Sequence, residues 1–155
     1  MLNWLKSILR PPTPSGPSET IREFHAGDAT LSKDSISTVQ DHWEIEAMQD
    51  RTVRLFEVED PGAEKCILTY RATMRCESLE GRAYLEMWCR LPGRGEFFSK
   101  GLNQPLSGTT DWASHEIPFY LKTGQRPDLV KLNLVIQGAG RVAMKDIRLL
   151  KTPLA

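Results

Sequence analysis

The sequence lacks a net charge: twenty Lys and Arg balance twenty Asp and Glu over 155 residues. No global field would draw phosphate backbones to its surface, so nucleic acid is excluded as a first partner. Local clusters such as Arg82, Arg90 and Arg94 are offset by Glu80, Glu86 and Glu96. No apolar run approaches the roughly 20 residues of a membrane-spanning helix. The start of the chain lacks the form of a secretory signal, because Lys6, Ser7 and Arg10 interrupt its apolar residues and no small-residue cleavage site follows. Cysteine is scarce, with Cys66, Cys76 and Cys89 at no metal-ligand spacing, and reads as buried free thiols. Three histidines, His25, His42 and His115, also lack metal spacing, and there is no Gly-x-Ser-x-Gly nucleophile elbow. Asp41-His42 and His115-Glu116 are adjacent pairs whose side chains would leave a strand on opposite faces. Glu44, Glu46, Glu57 and Glu59 alternate as a solvated face does, not as a glycosidase pair. Gly93-Arg94-Gly95 and Gly138-Ala139-Gly140 lack the strand-loop-helix context of a phosphate cradle. These absences describe a soluble, cytoplasmic, non-enzymatic chain, long enough to bury roughly two thirds of its unfolded surface in one core.

What is present divides into three parts. Residues 1–10, MLNWLKSILR, place Leu2, Trp4, Leu5, Ile8 and Leu9 on one side of a short amphipathic helix, with Asn3, Lys6, Ser7 and Arg10 opposite. Ten residues are too few for a helix stable alone, so its apolar side must dock on its own domain, on another chain, on a second copy, or peripherally on a membrane surface. Residues 11–19 form a Pro-rich linker that the prolines hold extended. Residues 20–153 show no sustained helical periodicity. They give about eight strands between turn signals, the pattern of an all-β, two-sheet antiparallel sandwich.

Two stretches carry the clearest alternation. Lys65 to Cys76 sets Cys66, Leu68, Tyr70, Ala72, Met74 and Cys76 against Ile67, Thr69, Arg71, Thr73 and Arg75. Gly81 to Leu91, GRAYLEMWCRL, sets a core face of Ala83, Leu85, Met87, Cys89 and Leu91 against Tyr84, Glu86, Trp88 and Arg90. Ser78 to Gly81 reads as the turn between them, and Lys100 to Thr110 as a long loop. Trp43 is expected in the core, and Trp112 as a wedge sealing one end of it.

Across roughly Thr20 to Pro153 the strand pattern resembles the non-catalytic carbohydrate-binding modules of the galactose-binding-like jelly-roll superfamily. CILTYRATMR looks like that family's extended core strand, GTTDWASHEIPF like its small-residue turn before a Trp-led strand, and LNLVIQGAGRVAMKDIRLL like its closing hairpin. The resemblance implies a jelly roll, a sugar site on one sheet or at its edge loops, and in many relatives a structural calcium. Here Lys145 precedes Asp146 where a second acid often stands, so Asp146 is the one metal candidate and no other cofactor is expected.

Two functions follow as expectations. In the first, the chain is a non-catalytic module binding carbohydrate through a polar-aromatic sheet face. Tyr84 and Trp88 would stack on sugar rings and Glu86 and Arg90 would bind hydroxyls, joined by Arg71, Arg75, Asn133 and Gln137 if strand order makes them neighbours. The plainer reading of the same face is packing of both rings, with Glu86 and Arg90 in a cross-strand ion pair. In the second, the chain is a protein-interaction or assembly module that docks through residues 1–10. The sequence leaves ligand identity and oligomeric state open.

Overall fold

A computed structural model describes residues 12–155, so the helix expected over residues 1–10 lies outside the described residues. Nine strands follow: β1 (Glu19–Phe24), β2 (Ile36–Val39), β3 (His42–Ala47), β4 (Arg51–Glu59), β5 (Cys66–Leu91), β6 (Gly95–Lys100), β7 (Leu106–Tyr120), β8 (Leu129–Gln137) and β9 (Gly140–Pro153).

β5 organises the others. Its 26 residues alternate in two blocks, and the inward positions Cys66 to Cys76 and Ala83 to Leu91 are each no more than 5% exposed. The inward positions are even-numbered in the first block and odd-numbered in the second. The change of parity falls at Glu77 and Ser78, both exposed, where Ser78 adopts φ 49° and the pairing register shifts between Cys76 and Leu79. A bulge of this kind adds one residue, bends the strand and keeps the chain in the sheet. Ser78 to Gly81 is therefore a bend inside one strand and not the expected turn between two.

The bend makes two layers. The first half of β5 pairs with β7 on one side and β9 on the other, and β9 carries β3 and β1 along its far edge with β2 beyond β3. The second half pairs with β8, which carries β4, and with β6. Every one of these pairings is antiparallel. The layers face each other across an apolar interior: Phe24 of β1 stacks on Phe56 of β4 at 4.0 Å between centroids, and Trp43 of β3 meets Phe56 at 5.7 Å. Burying side chains such as Leu68, Leu85, Leu132 and Ile136 contributes about 1.5–3 kcal/mol each. The result is a β-sandwich, with Trp43 in its core as expected and all three cysteines free and buried.

The expected loop from Lys100 to Thr110 becomes strand at Leu106. β7 follows β5 around its bend, where backbone partners are out of register. There the Thr109 and Thr110 hydroxyls accept from the Ser78 and Cys76 amides at 3.0 and 3.2 Å. Side chains that signal a loop in sequence serve here as substitute ladder bonds. At the other end of the chain Ser15 N donates to Pro153 O at 2.8 Å and Ala155 N to Thr13 O at 2.9 Å, so residues 13–15 run beside 153–155.

Candidate functional site

The residues expected to form one site are divided between the two outer faces of the sandwich. On the second layer, β5 carries Tyr84, Glu86, Trp88 and Arg90, and the pairing with β8 sets Glu86 opposite Asn133. Tyr84 is 4% exposed: the Arg82 guanidinium lies 5.4 Å from its ring centroid and Gln137 reaches its hydroxyl at 3.5 Å. Glu86 is buried and accepts from Asn133 Nδ2 at 3.0 Å, with Lys100 Nζ 3.7 Å away. Arg90 donates twice to Asp128, at 2.8 and 3.2 Å. Arg90 and Glu86 thus each form ion pairs, but not with each other. Trp88 is half-buried against Phe98, 5.2 Å between centroids, beside a recess of about 280 Å³ bounded by Arg54, Glu86, Lys131 and Asn133.

Arg71 and Arg75 lie on the first half of β5, so their side chains emerge from the other layer and are not neighbours of Tyr84 or Trp88. Arg71 pairs with Glu116 of β7 at 3.1 Å. Arg75 belongs to a different cluster, centred on Trp112. Pairing of Met74 with Ala113 and Tyr70 with Ile117 puts the odd-numbered residues of β7 inward and Trp112 outward. Trp112 is consequently no wedge in the core, and the period of two from Ile117, Phe119 and Leu121 already carries that signal. The Arg75 guanidinium sits 4.6 Å from the indole centroid and the Lys145 ammonium 4.5 Å, both within cation–π range, and His42 meets the ring edge-on at 5.3 Å.

Strand order gathers this cluster. β7, β5, β9 and β3 lie side by side, so Trp112, Arg75, Lys145 and His42 come from four neighbouring strands. His42 is buried, and its two ring nitrogens each lie 3.3 Å from a carboxylate oxygen, one of Asp41 and one of Glu44. Asp41 and His42 therefore do meet, because Asp41 precedes β3 at a turn where Gln40 has φ 57°. The hydrogen bond with His42, aided by the Lys145 charge, holds the Asp41 carboxyl below its usual range. Beside the cluster lies a recess of about 520 Å³, within the roughly 300–1,000 Å³ of small-molecule clefts. Arg75 and Arg141 bring donors to it, Glu44, Glu77 and Asp111 acceptors, and Thr109 and Thr110 hydroxyls that do both. Among the described residues Arg75 has no carboxylate partner within salt-bridge distance.

Burial removes other groups from consideration. It pushes the Cys89 thiol up to about 12 and raises the Cys66 thiol and the Tyr70 phenol, so these stay protonated near neutrality, and it lowers His115, which is then neutral there. Asp146 has φ 52° at the point where β9 changes partner from β3 to β1 and its register with β5 shifts between Arg71 and Thr73. Asp tolerates that left-handed conformation better than most residues, and the position has a backbone role. Among the described residues no three His, Cys, Asp or Glu side chains gather as a ligand set. No described helix is long and apolar enough to cross a membrane.

No protein-family model matches the chain, and no curated protein matches it. Solved structures do. A CBM4 module is similar at 10% identity and a TM-score of 0.49, over 83% of this chain and 84% of that one. A family 16 carbohydrate-binding module is similar at 9% identity and a TM-score of 0.48, over 72% and 77%. The low-affinity xylan-binding module CBM86 of Roseburia intestinalis is similar at 12% identity and a TM-score of 0.43, over 90% and 97%. All three TM-scores lie below 0.5, and the β-sandwich rests on this chain's own strand pairing.

Proposed function

We propose that this chain is a non-catalytic carbohydrate-binding module whose ligand rests on the outer face of the first layer, against Trp112 and in the adjoining recess. The observation that carries the reading is the convergence of four strands on one half-buried indole, next to a recess that shares Arg75 with the cluster and is lined by donors and acceptors of both signs. A sugar ring needs an apolar surface for its C–H face and oriented polar groups for its hydroxyls. Trp112, with Arg75 and Lys145 over its ring, supplies the first; Arg75 is the donor without a carboxylate partner, while Arg141 is shared with Glu77, Glu44 with His42 and Asp111 with the Trp112 amide. With two guanidinium groups against three carboxylates, the recess favours a ligand of hydroxyls over an anion.

The rival face offers Trp88, half-buried and lining a smaller recess of about 280 Å³. Tyr84 has no open ring face, Glu86 and Asn133 bond each other, and Arg90 is engaged by Asp128. Trp112→Ala and Trp88→Ala separate the two faces, because both rings lie outside the apolar core. The expected outcome on a glycan array, followed by titration calorimetry, is that Trp112→Ala abolishes binding, Trp88→Ala retains it, and both variants still unfold cooperatively. Loss on Trp88→Ala alone would move the site to the second layer. A wild-type chain that retains no glycan would remove the carbohydrate reading and leave the interaction-module alternative, whose residues 1–10 lie outside the described residues.

A further inference from the structure

β6 is the outermost strand of the second layer, and among the described residues it pairs with β5 alone. Edge strands usually blunt their free backbone groups with short length, charged side chains, bulges, prolines or inward charges. β6, six residues long, has no proline over Gly95–Lys100, and its two charges, Glu96 and Lys100, are of opposite sign. It presents Phe97 at 44% and Phe98 at 55% exposure.

The direction of its free backbone groups follows from one hydrogen bond. Gly101 N donates to Leu85 O at 2.9 Å, so 85 and 101 form a hydrogen-bonded pair. Antiparallel ladders alternate, which makes Ser99 with Met87 and Phe97 with Cys89 hydrogen-bonded pairs as well. Glu96, Phe98 and Lys100 are then the residues whose N–H and C=O point away from β5. Their side chains share one face, where Lys100 lies 4.6 Å over the Phe98 ring and Trp88 packs 5.2 Å from it.

We propose that this edge is a homodimer contact, taken up by β6 of a second copy of the chain running antiparallel about a two-fold axis at Phe98. An axis at Phe97 or Ser99 would pass through a non-hydrogen-bonded pair, and would set Glu96 or Lys100 opposite Phe98 with no charge facing it. Centring on Glu96 or Lys100 would set like charges face to face. Centring on Phe98 lets the two Phe98 residues exchange their N–H and C=O, stacks their side chains as cross-strand partners, and sets Glu96 opposite Lys100 of the second copy twice over. Within one chain Glu96 meets Lys131 at 2.8 Å and Lys100 meets Glu86 at 3.7 Å, so the contact extends these pairs across the axis and is self-complementary in backbone and apolar surface. It lies on the second layer, away from the Trp112 recess, so it does not depend on the carbohydrate reading.

Sedimentation equilibrium on the full chain, from micromolar to millimolar concentration, tests it. Wild type is expected to approach the mass of two chains reversibly. Glu96→Lys and Lys100→Glu each set like charges opposite one another at both contacts, and each is expected to raise the dissociation constant roughly tenfold or more. An equimolar mixture of the two variants restores opposite charges at both contacts and is expected to recover the wild-type mass. Phe98→Pro removes an outward N–H while leaving the bonds to β5 in place, and should give a monomer with wild-type unfolding. The proposal is overturned by a wild type that stays monomeric throughout, by a dimer indifferent to Phe98→Pro and to both charge reversals, which would place the contact elsewhere, or by a mixture that fails to recover.

Discussion

Arg90 and Asp128 meet through two hydrogen bonds at a surface where most ion pairs are worth little, and the geometry makes this one readable in a pH titration. The hydrogen bond from Arg90 and its charge hold the Asp128 carboxyl below its usual range. A carboxyl lowered on folding contributes stability that is present above its unfolded pKa and is lost as pH falls through that value toward the folded one. Asp128→Asn should therefore be less stable than wild type at neutral pH, with the difference shrinking through the acid range as wild type loses the same contribution. Urea midpoints measured across that range decide it, and a constant difference would show that the ion pair is not the cause. At the same scale, most polar groups of the face expected to bind sugar are engaged by partners within the chain. Alternation showed correctly that Tyr84, Glu86, Trp88 and Arg90 share a side, but it could not show that Gln137, Asn133 and Asp128, all far along the chain, would engage three of them.

Among the elements, the bend in β5 is the most constrained. Where the strand passes between layers, Gly81 runs against the hairpin between β8 and β9, and a Cβ built on it would lie 1.8 Å from the Gln137 carbonyl oxygen and 2.8 Å from its carbon. Both are backbone atoms that cannot rotate away. Gly81→Ala is expected to destabilise the fold by about 3 kcal/mol through overpacking, read as a drop in the urea midpoint at unchanged slope. A neutral result would mean that the hairpin and the bend are not pressed together. The strands themselves were legible wherever period-two alternation lasted: Leu129 to Gln137 stands as expected, and so does the inward set on each half of β5. The bend was not. A bulge keeps hydrogen bonding through residues such as Ser78 and Gly81 that on local propensity belong to a turn, and only the partner strands β7, β8 and β9 show that the chain never leaves the sheet.

For the whole molecule, the pairing of residues 13–15 with 153–155 brings the two ends of the described chain together. Joining Ala155 to Pro12 and opening the chain at the exposed Gly124 turn should give a circular permutant that folds to the same sandwich. Far-UV circular dichroism and one cooperative unfolding transition would support it, and a permutant without cooperative unfolding would show that chain order at this end matters to folding. The sequence by itself determined the all-β class, the identity of most core residues and the absence of a guiding net charge, because these depend on composition and on contacts between residues i and i+2. It also held the parity that turns Trp112 outward. Tertiary structure alone decided which outward residues meet. Pairing such as Glu19 with Lys151 or Arg82 with Gln137 joins positions far apart in the chain. No local pattern encodes strand order, and so Arg75, Lys145, His42 and Trp112 became one cluster while Arg75 and Trp88, only thirteen residues apart, came to rest on opposite faces.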